Sequence, residues 1–277
     1  MIQGNDDNLP FGININDKDK SSTRIIFAHT NGLNAGTDAH SLYEIVISSQ
    51  IYNASVLLLA ETNTHWKNKR AYDNLRKTIV QYWKGISIIT SETNLSWYSI
   101  YKPAGTAIIA KNKVRSRKLK SGEDSHGLGR WYCLTLQRRE SRMVRLIPVY
   151  KACNGPIDPN KKMTALTQQL IILNSKYKTI ESIPSLNVTH LITFTNDLVR
   201  QKHEIILESD ANKQFVSSRG YDARLCSKCK LLDPIDQHNG ITNEPNIFIR
   251  GSQRIDYMFY SKTTSSIIIA CGIPSFG

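Results

Sequence analysis

Glu204-Ile-Ile-Leu-Glu-Ser-Asp-Ala-Asn212 runs from an apolar segment of strand length straight into two carboxylates and an amide. Downstream, Arg254-Ile-Asp-Tyr257 places Asp256 inside a second strand-like run over residues 255–261. A carboxylate at the mouth of a buried strand is costly unless a metal, a hydrogen bond or a cation satisfies it. Two such carboxylates and an amide point to a divalent-metal site for phosphate chemistry.

Outward from these strands, short apolar runs alternate with amphipathic stretches. Ile25-Ile-Phe-Ala28 and Val56-Leu-Leu-Leu-Ala60 read as strands, the second ending at Glu61. Residues 39–50 carry Leu42, Ile45 and Val46 at helical spacing, with Thr37 or Asp38 as N-cap. Residues 70–83 form a second helix stopped by Gly85, and 86–89 a further strand. A turn at Pro103-Ala-Gly105 feeds a strand to Ala110, and residues 131–136 and 143–150 alternate well enough to pair across a turn at 138–141. Residues 161–178 and 188–202 are expected as helices, and 265–271 as the last strand. Many short strands, few helices and irregular spacing fit an α/β sandwich: two mixed sheets facing each other with helices outside.

The 277 residues carry a formal charge of +13, and 40% are apolar. That composition favours a folded domain with a polyanionic partner, most often nucleic acid. Residues 111–120 hold six cations in ten and read as an exposed loop or hairpin able to track a DNA backbone. Residues 1–22 are polar and linker-like, without the apolar core of a secretory leader, and no run is long enough to span a bilayer. With five scattered cysteines, an intracellular and even nuclear setting is expected. Cys226-Ser-Lys-Cys229 lacks a second pair for zinc, and Gly127-Leu-Gly129 lacks the lysine and serine of a phosphate loop.

In chain order, Ala28-His-Thr-Asn-Gly-Leu-Asn34, Ala60-Glu-Thr62, Gly105-Thr-Ala-Ile-Ile109 and Leu128-Gly-Arg-Trp131 are followed by Pro148-Val-Tyr-Lys151, Ser209-Asp-Ala-Asn212 and Arg250-Gly-Ser-Gln-Arg-Ile-Asp-Tyr257. This succession resembles the endonuclease/exonuclease/phosphatase superfamily. It is most similar to the endonuclease domains attached to reverse transcriptases of non-LTR retrotransposons. The resemblance covers residues 24–277 and implies a domain over 23–277 with a DNase I-like fold, a four-layer α/β sandwich of the α+β kind. It implies a Mg²⁺-dependent phosphodiesterase, with Mn²⁺ as a substitute, that nicks DNA beside a reverse transcriptase domain of a longer parent protein.

Carried over residue by residue, the resemblance makes Glu61 the metal ligand, supported by Asn31. Asp210 orients or deprotonates the attacking water, Asn212 holds a phosphate oxygen, and the Tyr150 hydroxyl points at the phosphate. Asp256 resembles the aspartate that partners a catalytic histidine, and Arg254 supports its loop. His29, Arg130 and Arg250 are candidate phosphate contacts, the two arginines equally readable as structural ion pairs. Three departures stand out. His29 occupies a position where the family has asparagine, and imidazole suits softer metals than Mg²⁺. Ile247 replaces a polar residue. The family's closing Ser-Asp-His segment is not reached before Gly277, so the resemblance also implies a chain without that loop. A catalytically inactive nucleic-acid-binding remnant of the same fold is therefore the alternative. A phosphoinositide or sphingomyelin headgroup substrate fits the basicity less well.

Overall fold

The structure is a computed structural model of the chain. It describes residues 11–12, 21–35, 40–97, 99–138, 141–153, 164–177, 183–210, 221–234, 237, 256–268 and 272–273. Most of the linker-like segment 1–22 and the proposed N-cap of the first helix lie outside the described residues. So do Asn212, Arg250 and Arg254.

The elements run β1 (Phe11–Gly12), β2 (Ile25–His29), α1 (His40–Ile51), β3 (Val56–Ala60), α2 (Lys69–Tyr82), β4 (Ser87–Ser91) and β5 (Thr106–Ala110). They continue with α3 (Asn112–Arg115), β6 (Lys118–Glu123), β7 (Tyr132–Gln137), β8 (Met143–Tyr150), α4 (Ala165–Tyr177), α5 (Ile183–Arg200) and β9 (Glu204–Asp210). The last are α6 (Tyr221–Cys229), β10 (Leu231–Leu232), β11 (Asp256–Ser261), a 3-10 helix (Lys262–Ile267) and β12 (Gly272–Ile273). Two mixed sheets result, ordered β2-β3-β5-β4 and β10-β11-β9-β8-β7-β6, while β1 pairs with β12.

Period-two alternation sorts each strand between two faces. Val56, Leu58 and Ile108 of the first sheet meet Leu134, Leu146 and Ile206 of the second in the core between the sheets. Leu57, Leu59 and Ile109 face the other way, onto Leu42 and Val46 of α1 and Leu75 and Ile79 of α2. Ile147, Leu207 and Phe259 likewise face Leu191 and Leu198 of α5 and Leu225 of α6. The expected four layers, helix, sheet, sheet, helix, are present. β3 is buried along its whole length, as a strand covered on both faces must be, which is why it reads as an unbroken apolar run.

Helix ends follow their chemistry. The Asn68 side chain accepts from the Ala71 amide at 3.2 Å and starts α2, and Trp83 turns to extended backbone before Gly85. α5 begins earlier than expected, with Pro184 in its first turn, where a missing amide costs nothing.

The expected strand over 265–271 is not formed in its described part: residues 262–267 are a 3-10 helix. The hydroxyls decide this. Ser261 Oγ and Thr264 Oγ1 accept from the Ile205 amide at 3.0 and 3.1 Å, and Thr264 Oγ1 donates to the Ile205 carbonyl at 3.2 Å. Serine and threonine side chains here take over backbone groups that a ladder would otherwise use. The cationic run 111–120 is the short helix α3 followed by the exposed edge strand β6.

Register gives the sandwich two distinct ends. His29 pairs with Ala60, Ala60 with Thr106, and Asp210 with both Tyr150 and Asp256. These residues form one end, the strand mouths. Ile25, Val56, Ala110, Ser87, Val144 and Glu204 form the other.

Candidate metal centre

The inward stripes of the core turn polar at the mouth end. Ile25 and Phe27 lead to His29, Leu146 leads to Tyr150, and Ile206 leads through the buried Glu208 to Asp210. Alternation therefore aims His29, Tyr150 and Asp210 into the gap between the sheets, and Asp256, in register with Asp210, joins them. The same pattern that fills the core thus positions the site.

Glu61 follows β3 in a left-handed turn, with φ of 53°, as do Asn31 at 44° after β2 and Asn63 at 47°. Such backbone is costly for a glutamate and persists only where its surroundings hold it. Here the Gly32 amide donates to the Glu61 carbonyl at 2.8 Å, and Thr30 Oγ1 donates to the same oxygen at 2.9 Å. Asn63 Nδ2 reaches Glu61 Oε1 at 3.5 Å, while its Oδ1 accepts from the Ala104 amide at 2.8 Å. The turn is fixed by these backbone bonds, so the carboxylate is delivered in a set direction.

His29 Nε2 is bonded to Glu61 Oε2 and lies 3.2 Å from Asp210 Oδ2. One ligand atom each from His29, Glu61 and Asp210 fall within 4.8 Å of one another, the one such cluster of His, Cys, Asp or Glu among the described residues. Asp210 is fully buried, while the His29 and Glu61 side chains are about one-fifth exposed, at 21% and 18%. Burial lowers the His29 pKa, but the Glu61 hydrogen bond and the charges of Asp210, Asp256 and Glu61 outweigh it and raise it to about 9. Burial, then the charge of Glu61 and smaller contributions that include Asp210, push the Tyr150 hydroxyl far above its ordinary range. Burial and then Glu61 raise Tyr101 as well, and burial with Glu61 and Asp210 raises Cys153. The Glu61 carboxylate thus acts on Tyr101, Tyr150 and Cys153 alike.

Of the residues singled out from sequence, Glu61, Asp210, Asp256, Tyr150 and His29 come together. Asn31 sits exposed in its turn, two residues beyond His29. Arg130 does not join them. It is 1% exposed, and its Nε and Nη2 clamp Asp124 at 2.6 and 2.8 Å. Its Nη1 donates to Asn187 Oδ1 at 2.9 Å and lies 3.1 Å from His190 Nδ1. Of its two possible roles, the structural ion pair is the one formed, so it is not offered to phosphate.

Three residues near the site carried no sequence signal. Asn63 holds Glu61. Tyr101, 44% exposed, presents a ring at the rim. Glu92, 3% exposed, takes His65 Nδ1 at 3.1 Å and the buried Lys102 Nζ at 3.4 Å. Gly129 explains its own place in the sequence: with φ of 64°, its Cβ would stand 2.5 Å from the Thr93 amide, so a side chain there would displace the Glu92 segment. In the CxxC, burial raises the Cys229 thiol to about 12, leaving it inert at the end of α6.

No family model and no curated protein matches the sequence. Solved structures do. The human Nocturnin catalytic domain with bound sulfate anion superposes with a TM-score of 0.53 at 16% identity, covering 87% of this chain and 83% of that one. An endonuclease/exonuclease/phosphatase family protein from Leptotrichia buccalis gives 0.50 at 15%, covering 87% and 88%. This chain has the endonuclease/exonuclease/phosphatase fold. An AP endonuclease from Archaeoglobus fulgidus agrees, with a TM-score of 0.50 at 11% identity over 87% of each chain. Identities this low carry the endonuclease/exonuclease/phosphatase fold across and leave the chemistry to the side chains. Among the described residues no helix is long and apolar enough to cross a membrane.

Proposed function

We propose that this chain is a divalent-metal-dependent phosphodiesterase acting on nucleic acid, most specifically an endonuclease that nicks DNA. The observation that supports it best is the meeting of Glu61, Asp210 and His29 at the mouth between two sheets, with their ligand atoms within 4.8 Å. The two carboxylates fit a six-coordinate Mg²⁺ or Mn²⁺, with the imidazole as the softest ligand of the three. A cation held there would offset negative charge building on the phosphate.

The chain's own groups supply the rest. Asp210, rigid at a strand end, holds the attacking water and takes its proton. Tyr150, its hydroxyl kept protonated by burial and by Glu61, donates to a phosphate oxygen at every ordinary pH. Asp256, in register with Asp210, keeps that carboxylate's surroundings fixed. Tyr101 gives a base a ring to stack on at the rim. Service to a reverse transcriptase in a longer parent protein rests on the motif resemblance alone.

The direct test is cleavage of labelled duplex DNA, single-stranded DNA and RNA with Mg²⁺, Mn²⁺ or chelator. Metal-dependent scission of a phosphodiester, strongest on duplex DNA, is expected. Tight binding with no scission in either metal would leave the inactive, nucleic-acid-binding remnant.

A further inference from the structure

We infer that the end of the sandwich opposite the candidate metal centre is a second nucleic-acid-binding surface, one that holds a phosphate backbone. The inference comes from where the strand register puts the cations. β5 ends at Ala110, in register with Val56 and Ser87, so residues 111–117 leave the sheet at the far end. The β7–β8 turn and the α5–β9 connection lie at the same end, because Gln137 pairs with Met143 and Val144 with Glu204.

Backbone bonds tie the 111–117 segment to the starts of β2 and β3 on one side and to the β7–β8 turn on the other. The Lys111 amide donates to the Ser55 carbonyl at 3.0 Å, and the Ser55 amide to the Arg24 carbonyl at 2.8 Å. The Gln137 amide donates to the Arg117 carbonyl at 2.8 Å, and the Arg138 amide to the Arg142 carbonyl at 2.8 Å. Lys111 also stacks over Trp83 at 4.2 Å, which joins the α2–β4 connection to this segment.

Lys113, Arg115, Lys118 and Lys120 stand exposed on α3 and β6. Lys84, Arg142, Lys202 and Lys262 stand exposed on the four neighbouring connections. Among the described residues of 21–24, 51–55, 83–86, 111–117, 138–142, 201–203 and 262–268 there is no aspartate or glutamate. Two acids near this end are engaged among the described residues: the buried Glu204 takes Arg138 at 2.7 Å and Arg142 at 3.8 Å, and Asp197 takes Arg200 at 3.1 Å. The mouth end, by contrast, holds Glu61, Glu92, Asp124, Asp210 and Asp256.

The occupant follows from what surrounds the charge. The exposed large apolar side chains at this end are few: Ile51 and Leu119, with the Tyr43 ring edge-on against Tyr82 at the end of α2. A protein partner or a bilayer would call for a broader apolar patch. At about 3.3 Å per residue, the length of β9 separates this surface from the metal centre by roughly 20 Å. It therefore holds a segment of nucleic acid apart from the one at the mouth, whether or not the mouth cleaves.

The test is equilibrium binding of a fluorescein-labelled 30-base-pair duplex, in chelator, across a salt series. K113E/R115E/K118E is expected to lower affinity at least tenfold and to flatten the log–log salt slope by about 2–3, at ~0.9 for each phosphate no longer neutralised. K84E/K202E/K262E, on different elements, is expected to act in the same direction and decides the matter if the first triple does not fold. K113E/R115E/K118E is expected to keep the wild-type Mn²⁺ affinity of the mouth, which separates this surface from the cleavage site. Wild-type affinity and slope in folded triple variants would overturn the inference. So would tighter binding to phosphatidylserine vesicles than to the duplex.

Discussion

Asp210→Asn is expected to lower metal-dependent cleavage by about 10³-fold or more, in kcat rather than KM, while the fold stays intact. The amide keeps the shape of the side chain, and Asp210 is fully buried between Tyr150 and Asp256 on the neighbouring strands. What changes is chemistry. An amide cannot take the proton of the attacking water, and a positioned general base is worth about 10²–10⁴ in rate. It also removes a charge 3.2 Å from His29 Nε2, weakening the cluster that holds the cation. A kcat within tenfold of wild type, in protein with an unchanged circular dichroism spectrum, would remove Asp210 from the mechanism.

Arg130→Met is expected to cost about 3–5 kcal/mol of stability, because it strands Asp124 in the interior. The two side chains are 1% and 0% exposed. Burial disfavours the Asp124 carboxylate, but hydrogen bonds from His126 and Arg130 and the Arg130 charge outweigh it and hold its pKa well below the ordinary range. Its folded pKa is thus depressed, so the stabilisation is present above about pH 4 and lost as pH falls. Thermal melts should show a fall of roughly 10 °C at neutral pH, narrowing in acid. The double variant Asp124→Leu/Arg130→Met, which buries no charge, should recover most of the loss. A single variant that melts with wild type would show that the pair does not secure this loop.

Much of the fold is legible in the residues alone. Unbroken apolar runs of strand length such as Val56-Leu-Leu-Leu-Ala60 read as strands covered on both faces, and α2 declares itself by Leu75 and Ile79 under a polar face. The site is legible for the same reason: Glu61 and Asp210 are acids that interrupt apolar strands, and such positions are rarely idle. What escapes the sequence depends on contacts between distant segments. Arg130 looks like any exposed arginine until the turn before β7 folds it onto Asp124 and α5. The Glu92, His65 and Lys102 cluster joins three segments with no shared pattern. The hydroxyl-rich residues 262–266 alternate poorly, and their side chains compete for the backbone. The cationic run is visible, but only the strand register shows that it faces away from the metal centre.

The claim on which all of this turns is that Glu61, Asp210 and His29 share one divalent ion. Titration of the protein with Mn²⁺, followed by electron paramagnetic resonance, measures it without any substrate. One saturable site is expected, with affinity at least tenfold weaker in Glu61→Gln and Asp210→Asn and unchanged in K113E/R115E/K118E. Mn²⁺ binding that never saturates, or that survives undiminished in Glu61→Gln, would contradict it.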